Sequence, residues 1–284
     1  MIRLLADSTC DLSRELTERY HVDIMPLNVN LGEEAHTDGV DITPQEIFAW
    51  SDQTRETPKT AVFSMEKVMK RFKSYLEAGD ELICFSISEK MSASGQVMRL
   101  AAQELNATDR IHIIDSANLS TGIGLLILRA ADLIAEGLPT AEVVKQVEAT
   151  KPLVRSSFVV DTLTFLHRGG RCSGLASLMG SMLKIHPKIV VEDGAMKPDA
   201  KYRGSMQRVL NRYVEDLVPA MQKARRERVF VTHSCYGNDL PQTVIDILKP
   251  MNLFDEILET NAGCVVSSHC GPNTLGVLFI AQES

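Results

Sequence analysis

The segment from residue 2 to residue 88 reads IRLLAD (2–7), DLSRELTERY (11–20), VDIMPLNVNL (22–31), TPQEIFAW (43–50), MEKVMKRFKSYLEAG (65–79) and ELICFSIS (81–88). Short aliphatic or β-branched runs alternate with longer segments whose apolar residues recur at helical spacing. That alternation predicts an α/β fold with mainly parallel sheets, since strand, covering helix, strand is the unit from which parallel sheets grow. The boundary residues agree. Thr43-Pro44-Gln45-Glu46 reads as a capping box with proline at the first helical position, which satisfies amides left free by the first turn. Gly79 and Gly137 stand where helices should stop, because glycine takes the left-handed terminal conformation at no steric cost.

Outward from this segment the pattern continues with RIHIIDS (110–116), helices near 121–136 and 140–150, and the strand SSFVVD (156–161). From 162 to 183 the chain is glycine-rich, with two short helical pieces, and KIVVEDGAMKP (188–198) reads as a hairpin turning at Asp193-Gly194. An amphipathic helix near 205–225 leads into RVFVTHS (228–234), a helix near 240–248 and closing strands around Ile257 and 275–280. The texture suggests two lobes, residues 1–160 and 161–284, which need not be contiguous in sequence and can interleave.

The 284 residues, 44% of them hydrophobic, can bury a substantial core. A net charge of −7 with scattered Lys and Arg offers no broad phosphate-binding face, so nucleic acid is excluded as a partner. MIRLLADSTCD reaches polar residues too soon for a secretion signal, and Arg129 and Asp132 interrupt the longest apolar run. The expected location is the cytoplasm. Six cysteines, without CxxC pairing, read as buried thiols, and neither His233/Cys235 nor Cys264/His269/Cys270 has zinc spacing. No metal or cofactor is expected.

Ligands of open α/β sheets bind beyond the carboxyl ends of the strands. Here those positions are mostly hydroxyls, Ser8, Thr60, Ser64, Ser86, Ser88, Ser92, Ser94, Ser116, Ser120, Ser234, Ser267 and Ser268, together with the carboxylates Asp7, Asp11 and Asp115 and with His233 and His269. Neutral donors suit a carboxylate or phosphate, although helix capping is the commoner use of such residues. Catalytic patterns fail. DSTCD lacks the D-x-D of aspartate-nucleophile phosphatases, SASG around Ser94 lacks the first glycine of a nucleophile elbow, and neither nucleotide-binding loop is present. In RGGRCSGLASLMGSML (168–183), Gly169 and Gly170 permit tight backbone geometry and Arg171 could clamp an anion, while Leu175, Leu178, Met179, Met182 and Leu183 could line an apolar surface or simply pack as core.

Taken together, DSTCDL (7–12), DGVDIT (38–43), TAVFS (60–64), SEKMSASG (88–95), LHRGGRCS (166–173) and HCGPNTLG (269–276) make the chain resemble the DegV family nearly end to end. The resemblance implies two α/β lobes with a fatty-acid tunnel between them. The head group would meet Thr60, Ser92 and His269, and Ser64, Ser94 and Gly95 belong to the same motifs. It also implies a non-catalytic subunit that presents the carboxylate of a long-chain fatty acid to a separate ATP-dependent kinase for acyl-phosphate formation. Two hydroxyls and an imidazole can hold a carboxylate, with charge assistance where the histidine is protonated. Arg171 and Arg203 resemble family arginines near the carboxylate, where they would help dock the kinase or an anionic membrane. Ala61, Phe63 and Ala93 depart from the family pattern and bear on the pocket mouth. The competing expectation, from a fold akin to dihydroxyacetone kinases, is an enzyme acting on a small anionic or phosphorylated metabolite.

Overall fold

The structure is a computed structural model and describes residues 1–172, 174–175 and 185–283. Its strands in chain order are β1 (Ile2–Asp7), β2 (Val22–Met25), β3 (Asn28–Leu31), β4 (Glu34–Thr37), β5 (Lys59–Ala61), β6 (Glu81–Ser86), β7 (Ile111–Asp115), β8 (Val154–Val159), β9 (Ile185–Glu192), β10 (Ala195–Arg203), β11 (Ala224–His233), β12 (Glu256–Asn261) and β13 (Leu275–Ala281). The helices are α1 (Arg14–Arg19), α2 (Pro44–Thr54), α3 (Met65–Glu77), α4 (Ser94–Glu104), α5 (Thr121–Ala135), α6 (Thr140–Thr150), α7 (Thr164–Gly169), α8 (Met206–Met221), α9 (Leu240–Leu248) and α10 (Cys264–Cys270).

One sheet has the order β2-β1-β6-β7 and is parallel throughout. The second, β10-β9-β8-β13-β11-β12, departs from the expectation of mainly parallel pairing: β11–β12 is its parallel pair and its other pairings are antiparallel. The physical reason is connection length. Asp193 and Gly194, both at positive φ, close a two-residue hairpin between β9 and β10, and only antiparallel strands can be joined so tightly. β13 adds two more antiparallel pairings by lying between β8 and β11. β8 therefore belongs to the second sheet, although the chain reaches it before residue 160. A small third sheet, β4-β3-β5, lies beside the first.

Helix α5 explains how the sheets come together. Residues Thr121 to Leu128 are buried without a break, so the helix has no polar face over that length, and such a helix must be enclosed. It packs on β1 and β6 of the parallel sheet and on β8 and β13 of the mixed one. Alternating strand residues divide the core accordingly. Leu4, Ala6, Ile83, Phe85, Phe158, Leu278 and Ile280 face α5; Leu5, Leu82 and Cys84 face α3 and α4; Val229, Val277 and Phe279 face α8 and α9. Each fully buried Leu, Ile or Phe contributes about 1.5–3 kcal/mol against leaving it in water.

The capping box at Thr43 is present, and Gly79 and Gly137 adopt φ of 80° and 86° after α3 and α5. The amphipathic segment expected over 205–225 ends as a helix at Met221, and Ala224 already belongs to β11. All six cysteines are buried. Of the apolar stripe after Arg171, Leu175 is buried, while Leu178, Met179, Met182 and Leu183 lie outside the described residues. Among the described residues no helix is long and apolar enough to cross a membrane.

Candidate ligand cavity

A cavity of about 250 Å³ lies beyond the carboxyl ends of β1, β6 and β7, where open α/β sheets hold their ligands. Thr9, Ile87 and Leu119 follow those three strands into its wall; Leu27, Ala61, Val62, Met91, Met196, Val265 and Val266 make the wall largely apolar. Thr60, Ser92, Arg171 and His269 line the same cavity. Thus four of the eight residues singled out from the sequence converge, from a strand, a loop, the glycine-rich segment and a C-terminal helix.

His269 rides on α10, whose position depends on carboxylates far away in sequence. Asp11 accepts a hydrogen bond from the Gly263 amide at 2.8 Å and Asp38 one from the Cys264 amide at 2.8 Å. Amides at a helix start lack partners within the helix and attract negative charge, so these two side chains hold α10 in place. Each carboxylate also accepts a hydroxyl: Ser120 donates to Asp11 at 2.5 Å and Ser8 to Asp38 at 2.7 Å. Burial nevertheless pushes both carboxyls above the usual carboxylate range.

The imidazole is tightly confined. Its Nε2 lies 2.9 Å from Thr60 Oγ1, and its buried Nδ1 meets no partner among the described residues. A Cβ on Gly169 would come within 2.4 Å of Nδ1, so only glycine lets α7 approach this ring. Burial, reinforced by the positive charge of Arg171, lowers the His269 pKa to about 4. The ring is therefore neutral at physiological pH, and the condition for charge assistance, a protonated histidine, is not met in the ligand-free site. It carries a single hydrogen. With that hydrogen on Nε2, Thr60 Oγ1 accepts it and can turn its own hydrogen toward a carboxylate oxygen. Arg171, donating to the Gly169 carbonyl at 2.7 Å, supplies the positive charge at the cavity wall instead.

The other four residues lie outside this lining. Ser64 is the N-cap of α3, accepting from the Lys67 amide at 3.3 Å. Ser94 is fully buried and donates to Asp7 at 2.7 Å, while Asp7 also accepts from the Ile87 amide at 2.9 Å. Gly95 permits close packing, since a Cβ there would meet Ser86 Oγ at 2.6 Å. Arg203 is exposed at the end of β10. Ser94 and Gly95 thereby shape the turn that carries Ser92, whose own Oγ accepts from the Ser94 amide at 3.3 Å. Phe63 is buried in the core beside α3 rather than in the cavity wall, whereas Ala93 lines it.

Two further hollows flank the site. A void of about 30 Å³ shares Leu119, Val266 and Cys270 with the main cavity and continues toward β8 and β11. A cleft of about 570 Å³, with Lys151, Arg155 and Lys188 among its lining residues, contains none of the eight predicted residues. Among the described residues no cluster of side chains is suited to hold a metal ion.

A parallel and a mixed sheet clasping one buried helix, with a largely apolar cavity also bordered by hydroxyls, an arginine and an imidazole, define an α/β protein with an amphiphilic pocket. Residues 1–282 match the DegV family, described as uncharacterised proteins. A DegV domain-containing protein of Clostridium perfringens is 32% identical, the match covering 99% of each chain. Among solved structures, the fatty-acid-binding DegV family protein from Thermus thermophilus superposes with a TM-score of 0.91 at 30% identity over 99% of each chain. A stearic-acid-binding protein from Eubacterium ventriosum gives 0.84 at 26% identity over 99% of this chain and 98% of its own. The chain belongs to the DegV family.

Proposed function

We propose that this chain binds a long-chain fatty acid in the cavity and presents its carboxylate to a separate ATP-dependent kinase for acyl-phosphate formation, acting in the cytoplasm as a carrier without catalysis of its own. The observation that carries this reading is the convergence of Thr60, Ser92, His269 and Arg171 on one apolar-walled cavity. The Thr60 and Ser92 hydroxyls, the first oriented by the uncharged His269 ring, can donate hydrogen bonds to a carboxylate without protonating it, which leaves an anionic oxygen able to attack a phosphoryl group. The relatives named for binding fatty acids support the same ligand class. An enzyme acting on a small polar metabolite fits the apolar wall less well.

On this reading the chain forms two lobes, residues 1–160 and 161–284, which interleave because β8 pairs within the second sheet. Arg171, together with Arg203, would contact the kinase or an anionic membrane surface. Mass spectrometry of organic extracts from the purified protein should find a fatty acid at about one per chain. A delipidated sample that takes up no fatty acid of any length would rule the ligand out. Phosphate transfer from ATP to the bound acid, requiring an added kinase, tests the second half.

A further inference from the structure

The small void that shares Leu119, Val266 and Cys270 with the main cavity has an unusual lining. Ser120, Ser156, Thr232, His233, Ser234 and Thr274 all border it, alongside Phe158 and Leu278. Buried hydroxyls are costly unless they are satisfied. Nearly all of them are. Ser120 donates to Asp11 at 2.5 Å, Thr232 shares hydrogen bonds with Thr121 and with Thr260 at 3.0 Å, Ser234 donates to the Gly271 carbonyl at 2.6 Å, and Thr274 to the Cys270 carbonyl at 2.9 Å.

Ser156 is the exception. It sits in β8, is 5% exposed, and its Oγ meets no hydrogen-bond partner among the described residues. It borders both the void and the larger cleft behind it. Its surroundings are fixed: a Cβ on Gly122 of α5 would come within 2.7 Å of its Oγ. The void therefore offers one hydroxyl hydrogen to donate, from Ser156. It also offers spare acceptor lone pairs on Ser120 and Thr274, whose hydrogens are already committed. That is the complement of another hydroxyl, which accepts one hydrogen bond and donates one. The space is large enough for such a group and too small for a ring or a charged headgroup.

We propose that this void is a polar subsite for the acyl tail, in which Ser156 recognises a hydroxyl carried partway along a long-chain fatty acid. The inference rests on the fatty-acid reading above and deepens it to hydroxylated fatty acids. An unsubstituted methylene chain threaded past this point leaves the Ser156 hydrogen without an acceptor. A hydroxyl at the matching carbon recovers there the hydrogen bonds it gave up in water. At any other carbon it faces apolar wall and loses them, so preference depends on position.

The test is a competition series on delipidated protein, using monohydroxystearates substituted at successive carbons with stearate as the reference. A peak at one carbon or two adjacent ones, roughly three- to tenfold tighter than stearate, is expected from one net hydrogen bond. Ser156→Ala should erase the peak, and Ser156→Thr, which keeps the hydroxyl, should retain it. A series without a peak in the wild-type protein overturns the proposal, the void then holding no more than water. Binding by no member of the series, stearate included, overturns the fatty-acid reading as well.

Discussion

Acidification should destabilise the ligand-free protein through His269 by an amount set by its confinement. The ring's pKa is lowered from 6.5 to about 4, chiefly by burial. In the unfolded chain the ring takes up a proton as pH falls below 6.5; in the folded protein it stays neutral until pH approaches 4. The stabilisation is therefore fully present above 6.5 and is lost progressively as pH falls toward 4. The limiting loss is about 3.4 kcal/mol, at 1.36 kcal/mol for each unit separating the two pKa values. Between pH 7 and pH 5 about 2 kcal/mol of it disappears. The assay is urea unfolding of the wild type and of His269→Gln at half-unit intervals across that range. The variant removes the titrating ring and keeps a neutral hydrogen-bonding side chain. Subtracting the two curves cancels the carboxylates and His233, whose pKa burial also lowers. A constant offset would be a structural cost of the substitution, whereas a gap that closes by about 2 kcal/mol toward pH 5 belongs to the ring. Parallel profiles would show that the imidazole is not held neutral, and the description of the site would be wrong. A bound carboxylate should raise the ring's pKa, so saturating fatty acid should shrink the closing of the gap.

Other perturbations separate holding the ligand from holding the fold. Ser92→Ala, which removes a hydrogen bond to a charged group, and His269→Ala, which removes the ring that orients the Thr60 hydroxyl, should each weaken fatty-acid binding roughly tenfold or more, since such bonds contribute about 1.5–3 kcal/mol; unchanged dissociation constants in both would remove these residues from the site. Gly169→Ala forces a methyl group to within 2.4 Å of His269 Nδ1, and should displace the imidazole, seen as altered ring resonances in NMR together with weaker binding. Asp38→Ala strips the Cys264 amide and the Ser8 hydroxyl of their acceptor and should cost about 2 kcal/mol in urea unfolding; a loss below about 0.5 kcal/mol would mean that α10 is held by packing alone.

Local features of the fold were legible because local chemistry determines them. The Thr43 box, the glycines after α3 and α5, and the Asp193-Gly194 hairpin each depend on a few adjacent residues. The central position of β13 was hidden, because its pairings with β8, more than a hundred residues away, and with β11, some forty residues or more away, leave no periodic trace. The short strands β3, β4 and β5, three or four residues each, carry too few positions to show alternation. At the site, the rule of polar residues after strands gathered both liners and caps. Ser92 lines the cavity and Ser64 caps α3, yet both are serines in loops, and it was the family motifs that singled out Thr60, Ser92 and His269. Nothing in the sequence tied Asp11 and Asp38 to a helix more than two hundred residues later, because that link exists only in three dimensions. Gly169 did leave a signal, a paired glycine beside an arginine, although its purpose became plain only with the imidazole against it.

The placement of β13 has a consequence for biosynthesis. A nascent polypeptide halted before Leu275 possesses every other strand of the mixed sheet but has a gap at the sheet's middle, leaving β8 and β11 as two raw edges facing each other. Unpaired edges of this kind invite mispairing and aggregation. Folding of that half must therefore wait until the final strand leaves the ribosome, and chaperones should engage the chain most strongly during that interval.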